Sequence, residues 1–179
     1  MFFLMPLQTQ AIQDEQRIPW IKPSIDLHTL LKAKTPVEAV AAEISPEKAE
    51  SQLFKNAFNE LKNARFTKAI SLYTELLETY PESKNAAACH YWIAEAYYLA
   101  KDYKAALEGY AHVMIYYSYS LEAKQAALKS GVTFYDMSNW SRAQKSLRYV
   151  TTSYPHTVEA DKAKMLLKKM RKKGLLAQK

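Results

Sequence analysis

Apolar residues recur along the chain at helical spacing, and the whole pattern then repeats. Phe54, Ala57, Phe58 and Leu61 fall at i, i+3, i+4 and i+7, which places them on one face of a helix. A short polar turn, Lys62-Asn63-Ala64-Arg65, follows them. Phe66, Ala69, Ile70, Tyr73, Leu76 and Leu77 then make a second face. The segment closes at Tyr80-Pro81, where proline stops a helix because it has no N–H to donate and its ring clashes with the preceding turn. The same sequence of events ends at Tyr117-Ser118 and at Tyr154-Pro155, each 37 residues on. At that offset Phe66, Tyr103 and Trp140 coincide, as do Ala69, Ala106 and Ala143, and Leu76, Val113 and Val150. Ala57, Ala94 and Gly131 are all small, Ala86, Ala123 and Ala160 are identical, and Ser83, Ser120 and Thr157 are all hydroxyl residues. So many matching columns at one period mark an internal repeat of helical hairpins.

The small columns explain the pairing. Ala57, Ala94 and Gly131 sit where the first helix of a hairpin must approach its partner, and Ala69, Ala106 and Ala143 answer from the second. A leucine at such a site would push the helices apart, at ~1–3 kcal/mol. The aromatics Phe66, Tyr103 and Trp140 open each second helix over the hairpin turn. Ser83, Ser120 and Thr157 are expected N-caps. Three repeats are expected at about 47–83, 84–120 and 121–156. A capping helix over about 157–172 then covers the open end of the stack, with Val158, Met165, Leu166 and Met170 facing inward and lysines outward. Residues 174–179 read as a basic tail. Residues 1–46 hold five of the seven prolines. They read as an extended or disordered arm with short helices at Leu27–Leu31 and Val37–Ile44.

A small-large-small helical hairpin punctuated by Tyr-Pro resembles the tetratricopeptide repeat (TPR), whose usual period is 34 residues. The surplus of about three residues predicts a longer first helix or a longer connection before it. The expected fold is all-α: a TPR-like right-handed solenoid of three hairpins plus a C-terminal capping helix. The string His90-Tyr91-Trp92-Ile93-Ala94-Glu95-Ala96-Tyr97-Tyr98, with Lys101-Asp102-Tyr103-Lys104-Ala105-Ala106, narrows the resemblance. With Ala127-Leu128-Lys129-Ser130-Gly131 and Tyr154-Pro155-His156-Thr157, it resembles the Tol–Pal-associated periplasmic cell-division coordinator family (CpoB/YbgF) over about residues 50–170. That resemblance implies a periplasmic adaptor linking Tol–Pal-driven outer-membrane constriction to peptidoglycan synthesis during division. Outer-membrane assembly TPR proteins share the Tyr-Pro punctuation. They need a lipid-acceptor cysteine near the N-terminus, whereas Cys89 lies mid-helix.

In a TPR stack the first helices line the concave face. By register that face presents Phe58, Leu61, Tyr91, Glu95, Tyr98, Leu128, Val132 and Tyr135 to a protein partner. Thirteen tyrosines suit such a half-buried surface. No constellation for catalysis is legible. Cys89 and His90 are adjacent and point about 100° apart on a helix. His28, His112 and His156 show no ligand spacing, and the three glycines are isolated. The expectation is a non-enzymatic protein, with no cofactor, metal or small-molecule substrate.

Charge changes the picture only at one end. Residues 156–179 hold eight of the bases and two of the acids, whereas residues 47–155 are nearly balanced. The run Lys168-Lys169-Met170-Arg171-Lys172-Lys173 reads as a solvated helix end or as a contact for nucleic acid or an anionic surface. Base-stacking aromatics do not interleave with it. The apolar start followed by Thr9-Gln10-Ala11 fits either the end of an export signal over 1–11 or a merely apolar terminus. Periplasmic localisation is therefore expected, with a cytoplasmic scaffold as the alternative. Prolines break residues 1–46 into pieces too short for a coiled coil, so a monomer is predicted.

Overall fold

A computed structural model describes residues 45–176. The readings of residues 1–44, including the export signal and the short arm helices, lie outside the described residues. Seven helices follow one another: α1 (Pro46–Lys62), α2 (Phe66–Thr79), α3 (Ala86–Leu99), α4 (Tyr103–Tyr116), α5 (Leu121–Asp136), α6 (Trp140–Ser153) and α7 (Val158–Lys172). They pair as the repeat predicts, and the fold is the expected all-α TPR-like solenoid. Each helix packs on the next along the chain. The first helices α1, α3, α5 and α7 also touch in succession, while among the described residues the second helices α2, α4 and α6 do not touch one another. The stack is therefore tighter along its first helices, and that side is the inner, concave one.

The 37-residue register is the register of the core. Tyr73, Tyr110 and Leu147 are fully buried, as are Ala69, Ala106 and Ala143. Leu76, Val113 and Val150 form a third buried column. Cys89 belongs to another, with Ala126 and Ala163, each wholly enclosed. Its thiol is a small apolar filler whose pKa burial pushes up to about 12, with the Glu50 charge adding to the shift. A β-carbon on Gly131 would lie 2.7 Å from Leu147 Cδ2, and one on Gly109 would lie 2.8 Å from Ala94 Cβ. These two glycines let neighbouring helices approach.

The hairpin turns are also periodic. Ala64, Lys101 and Ser138 have φ of 57°, 65° and 57°. The residue after each donates its N–H back five positions: Arg65 to Glu60 O at 3.0 Å, Asp102 to Tyr97 O at 2.9 Å and Asn139 to Phe134 O at 2.9 Å. A left-handed residue so closed is the Schellman ending of a helix. The second helices start where expected, at Phe66, Tyr103 and Trp140. Asp102 and Asn139 cap α4 and α6, accepting from the N–H groups of Ala105 at 3.1 Å and Arg142 at 3.2 Å, whereas no side chain caps α2.

Two expectations fail locally. Ser120 and Thr157 cap α5 and α7 by accepting from Ala123 N at 3.1 Å and Ala160 N at 3.2 Å, but Ser83 caps no helix. Its hydroxyl donates to Glu50 Oε1 at 2.6 Å and accepts from Asn85 N at 2.9 Å, while Asn85 Nδ2 also donates to Glu50 at 2.8 Å. This clasp holds the connection open, so α3 starts at Ala86, two residues later than α5 does in register. The surplus length thus lies in the connection before α3 and in the first helix at α5. On α7, Val158 and Met165 are 64% and 72% exposed and do not face inward. The buried stripe is Ala160, Ala163 and Met170, with Leu166 and Leu167 partly covered. Met165 is about 140° round the helix from Ala160, on the solvent side. After the helix, Gly174 turns the chain at φ 67°, and Leu175 and Leu176 pack onto the last core cluster.

Candidate protein-binding face

Helices α1, α3, α5 and α7 bring the sequence-derived site residues to one side, but not all to the surface. Leu61, Tyr91 and Glu95 are each 6% exposed. Leu61 packs with Ala69 and Ala96, and Tyr91 with Ala94, Tyr110 and Ala126. The reason is the contact between successive first helices, which covers whatever lies along the seam. These three residues build the face rather than present it, contrary to the expectation. Phe58, Tyr98, Leu128, Val132 and Tyr135 remain partly exposed.

The seam between the second and third repeats is polar. Glu95 accepts from the Tyr110 hydroxyl and from Lys129 Nζ, each at 2.5 Å. Both carboxylate oxygens are thus bonded, one by a neutral donor and one by a cation. A carboxylate can be buried on those terms, whereas an unpaired one could not. Tyr98 donates to Asp136 Oδ2 at 2.5 Å, and Lys129 lies 5.0 Å from the Tyr98 ring centroid. Burial, with the Glu95 carboxylate beside it, raises the pKa of the Tyr110 phenol, and burial and Asp136 do so for Tyr98. Both therefore stay neutral donors at physiological pH. The network ties α3, α4 and α5 together and fixes the spacing of the inner face.

Beside it, Tyr91, Trp92, Gln125, Leu128, Lys129, Glu159 and Lys162 line a cleft of about 250 Å³ between α3, α5 and α7. Lys169 reaches over the Tyr135 ring at 5.9 Å. Sequence reading missed the polar members Gln125, Lys129, Glu159 and Lys162. One signal was available: Glu95 stands in a column with Phe58 and Val132, and a carboxylate in an apolar column requires partners. The basic run ends α7, with Lys169, Arg171 and Lys172 in its last turn and Glu159 and Asp161 in its first. That order complements the helix dipole and gives the run a structural use.

Among the described residues no cluster of three His, Cys, Asp or Glu side chains could hold a metal ion, and no helix is long and apolar enough to cross a membrane. Tetratricopeptide repeat family models match residues 54–113 and 125–157, together just over half of the chain. Comparison with curated proteins finds no match. With its hairpins, its inner layer of first helices and these two matched stretches, the chain is a tetratricopeptide-repeat protein.

Proposed function

We propose that this chain is a non-enzymatic adaptor that holds a protein partner along its inner face. Tetratricopeptide stacks are typically interaction scaffolds, and their inner face takes a helix or an extended peptide. The observation that carries the reading is the partly exposed apolar set Phe58, Tyr98, Leu128, Val132 and Tyr135, set among Lys129, Lys162 and Lys169 on successive first helices. Aromatic and aliphatic anchors beside cations suit a partner segment with apolar side chains and acidic neighbours. The buried network of Glu95, Tyr110 and Lys129 preorganises that surface, which lowers the ordering cost of binding.

We place the adaptor in the Gram-negative periplasm, between the Tol–Pal system and septal peptidoglycan synthesis. This placement rests on the resemblance of the second and third repeats, with a cytoplasmic scaffold as the alternative. The test is recovery of Tol–Pal and peptidoglycan-synthesis proteins from envelope extract on the immobilised chain. Recovery is expected from the wild type and should be lost with Tyr98→Ala/Tyr135→Ala. Equal recovery by a variant that keeps its helical circular dichroism would remove the inner face from the account. Recovery of other proteins through the same tyrosines would keep the adaptor and remove the Tol–Pal placement.

A further inference from the structure

A second surface lies on the outer side, between α4 and α6. No Cα atom of one helix comes within 8 Å of a Cα of the other, and α5 forms the floor between them. The resulting groove has a volume of about 420 Å³. Its floor is Ala127 and Phe134 of α5, and Leu107 and Met114 line it from α4. Its lips are Ile115 and Tyr149, which are 69% and 45% exposed although both are large and apolar.

The groove is not a generic gap of the repeat. In register, Ala127 and Tyr149 correspond to His90 and His112 one repeat earlier. There the two imidazole rings lie with centroids 4.3 Å apart, tilted by 39°. An alanine in place of the first ring opens the groove between the second and third repeats.

Charge selects the occupant. Helix α6 carries Arg142, Lys145 and Arg148 and no acid. Lys145 lines the groove, and the Arg142 guanidinium sits 5.8 Å from the ring of the floor residue Phe134. One wall is therefore cationic above an apolar floor. We propose that this outer groove docks an acidic amphipathic helix of a protein partner, with apolar side chains on the floor and carboxylates against Arg142 and Lys145. A groove bounded by two helices over a third matches the helix-in-groove mode of recognition. The site is separate from the inner face, so one chain can hold two partners at once.

The test titrates the full chain with two fluorescent helical peptides. Both carry leucine at i, i+3, i+4 and i+7; one has glutamate on its flanks and the other lysine. The glutamate peptide is expected to bind about tenfold more tightly than the lysine peptide. Arg142→Glu/Lys145→Glu should reverse that preference, and Ile115→Asp, an exposed change that leaves the core intact, should weaken the glutamate peptide. Lys162→Ala, an exposed change in the inner cleft on α7, should leave both titrations unchanged, so a failure here is distinguishable from a failure of the inner face. Equal affinity for the two peptides, or loss of binding with Lys162→Ala, would overturn the proposal. So would self-association of the free chain that Ile115→Asp abolishes, since the occupant would then be a second copy. Binding of phosphatidylglycerol vesicles without binding of either peptide would overturn it as well.

Discussion

Tyr73 and Tyr110 occupy the same place in successive repeats and are both fully buried, yet their hydroxyls meet different fates. The Tyr110 hydroxyl donates to a carboxylate, whereas the Tyr73 hydroxyl has no partner among the described residues. A bond to a charged group contributes about 1.5–3 kcal/mol, and a buried hydroxyl left unpaired costs about 1–3 kcal/mol. Tyr110→Phe is therefore expected to destabilise by about 2 kcal/mol, and Tyr73→Phe to stabilise by about 1 kcal/mol, in urea denaturation. Equal effects would mean that Glu95 does not rely on Tyr110.

His90 gives a pH signature. Burial, and then His112 beside it, hold its pKa below the ordinary imidazole value. The unfolded chain thus takes up this proton more readily than the folded one. The stability concerned is fully present above about pH 6.5 and is lost as the pH falls below it. Glu50, held low by the hydrogen bonds from Ser83 and Asn85, acts in a separate window that opens only below about pH 4.5. The thermal midpoint should drop between about pH 7 and pH 5, and His90→Phe should flatten that segment. A flat wild-type profile over this range would contradict the burial of His90.

Among the elements, α3 and α4 approach closely where they cross at Ala94 and Gly109. Alanine favours a helix interior over glycine by about 1 kcal/mol, but a methyl on Gly109 meets the Ala94 Cα at 3.3 Å as well as its Cβ, and backbone cannot swing aside. Overpacking of ~1–3 kcal/mol outweighs the propensity gain, so Gly109→Ala should lower stability. The exchange Gly109→Ala/Ala94→Gly should recover most of the loss, because one methyl again fills the crossing. A stabilising Gly109→Ala in calorimetry would show that the helices can move apart.

Helix starts and ends were legible because periodic aromatics, alanines and Tyr-Pro steps fix them one repeat at a time. What escaped depends on contacts between repeats. Ser83 looks like Ser120 until Glu50 of the preceding helix takes its hydroxyl. Val158 and Met165 look inward-facing until the alanines of α7 prove to be the stripe that fits α5 and α6. Leu61, Tyr91 and Glu95 share the register of a binding face, yet the next first helix covers them. The outer groove was written in the columns too, as an alanine where a neighbouring repeat has histidine, but only spatial neighbours show that this difference opens space.

At the scale of the molecule, contact among first helices and none among the described second helices makes one side a continuous inner face and divides the other into grooves. The proposed function stands on the inner face as the side that holds the protein partner. The most direct measurement is photocrosslinking in cells from a benzophenone amino acid placed in turn at Val132 and Lys162 on the inner face and at Glu75 on the outside of α2. Adducts to one and the same protein from Val132 and Lys162, with none from Glu75, are expected. A partner captured from Glu75 but from neither inner position would contradict the proposed function.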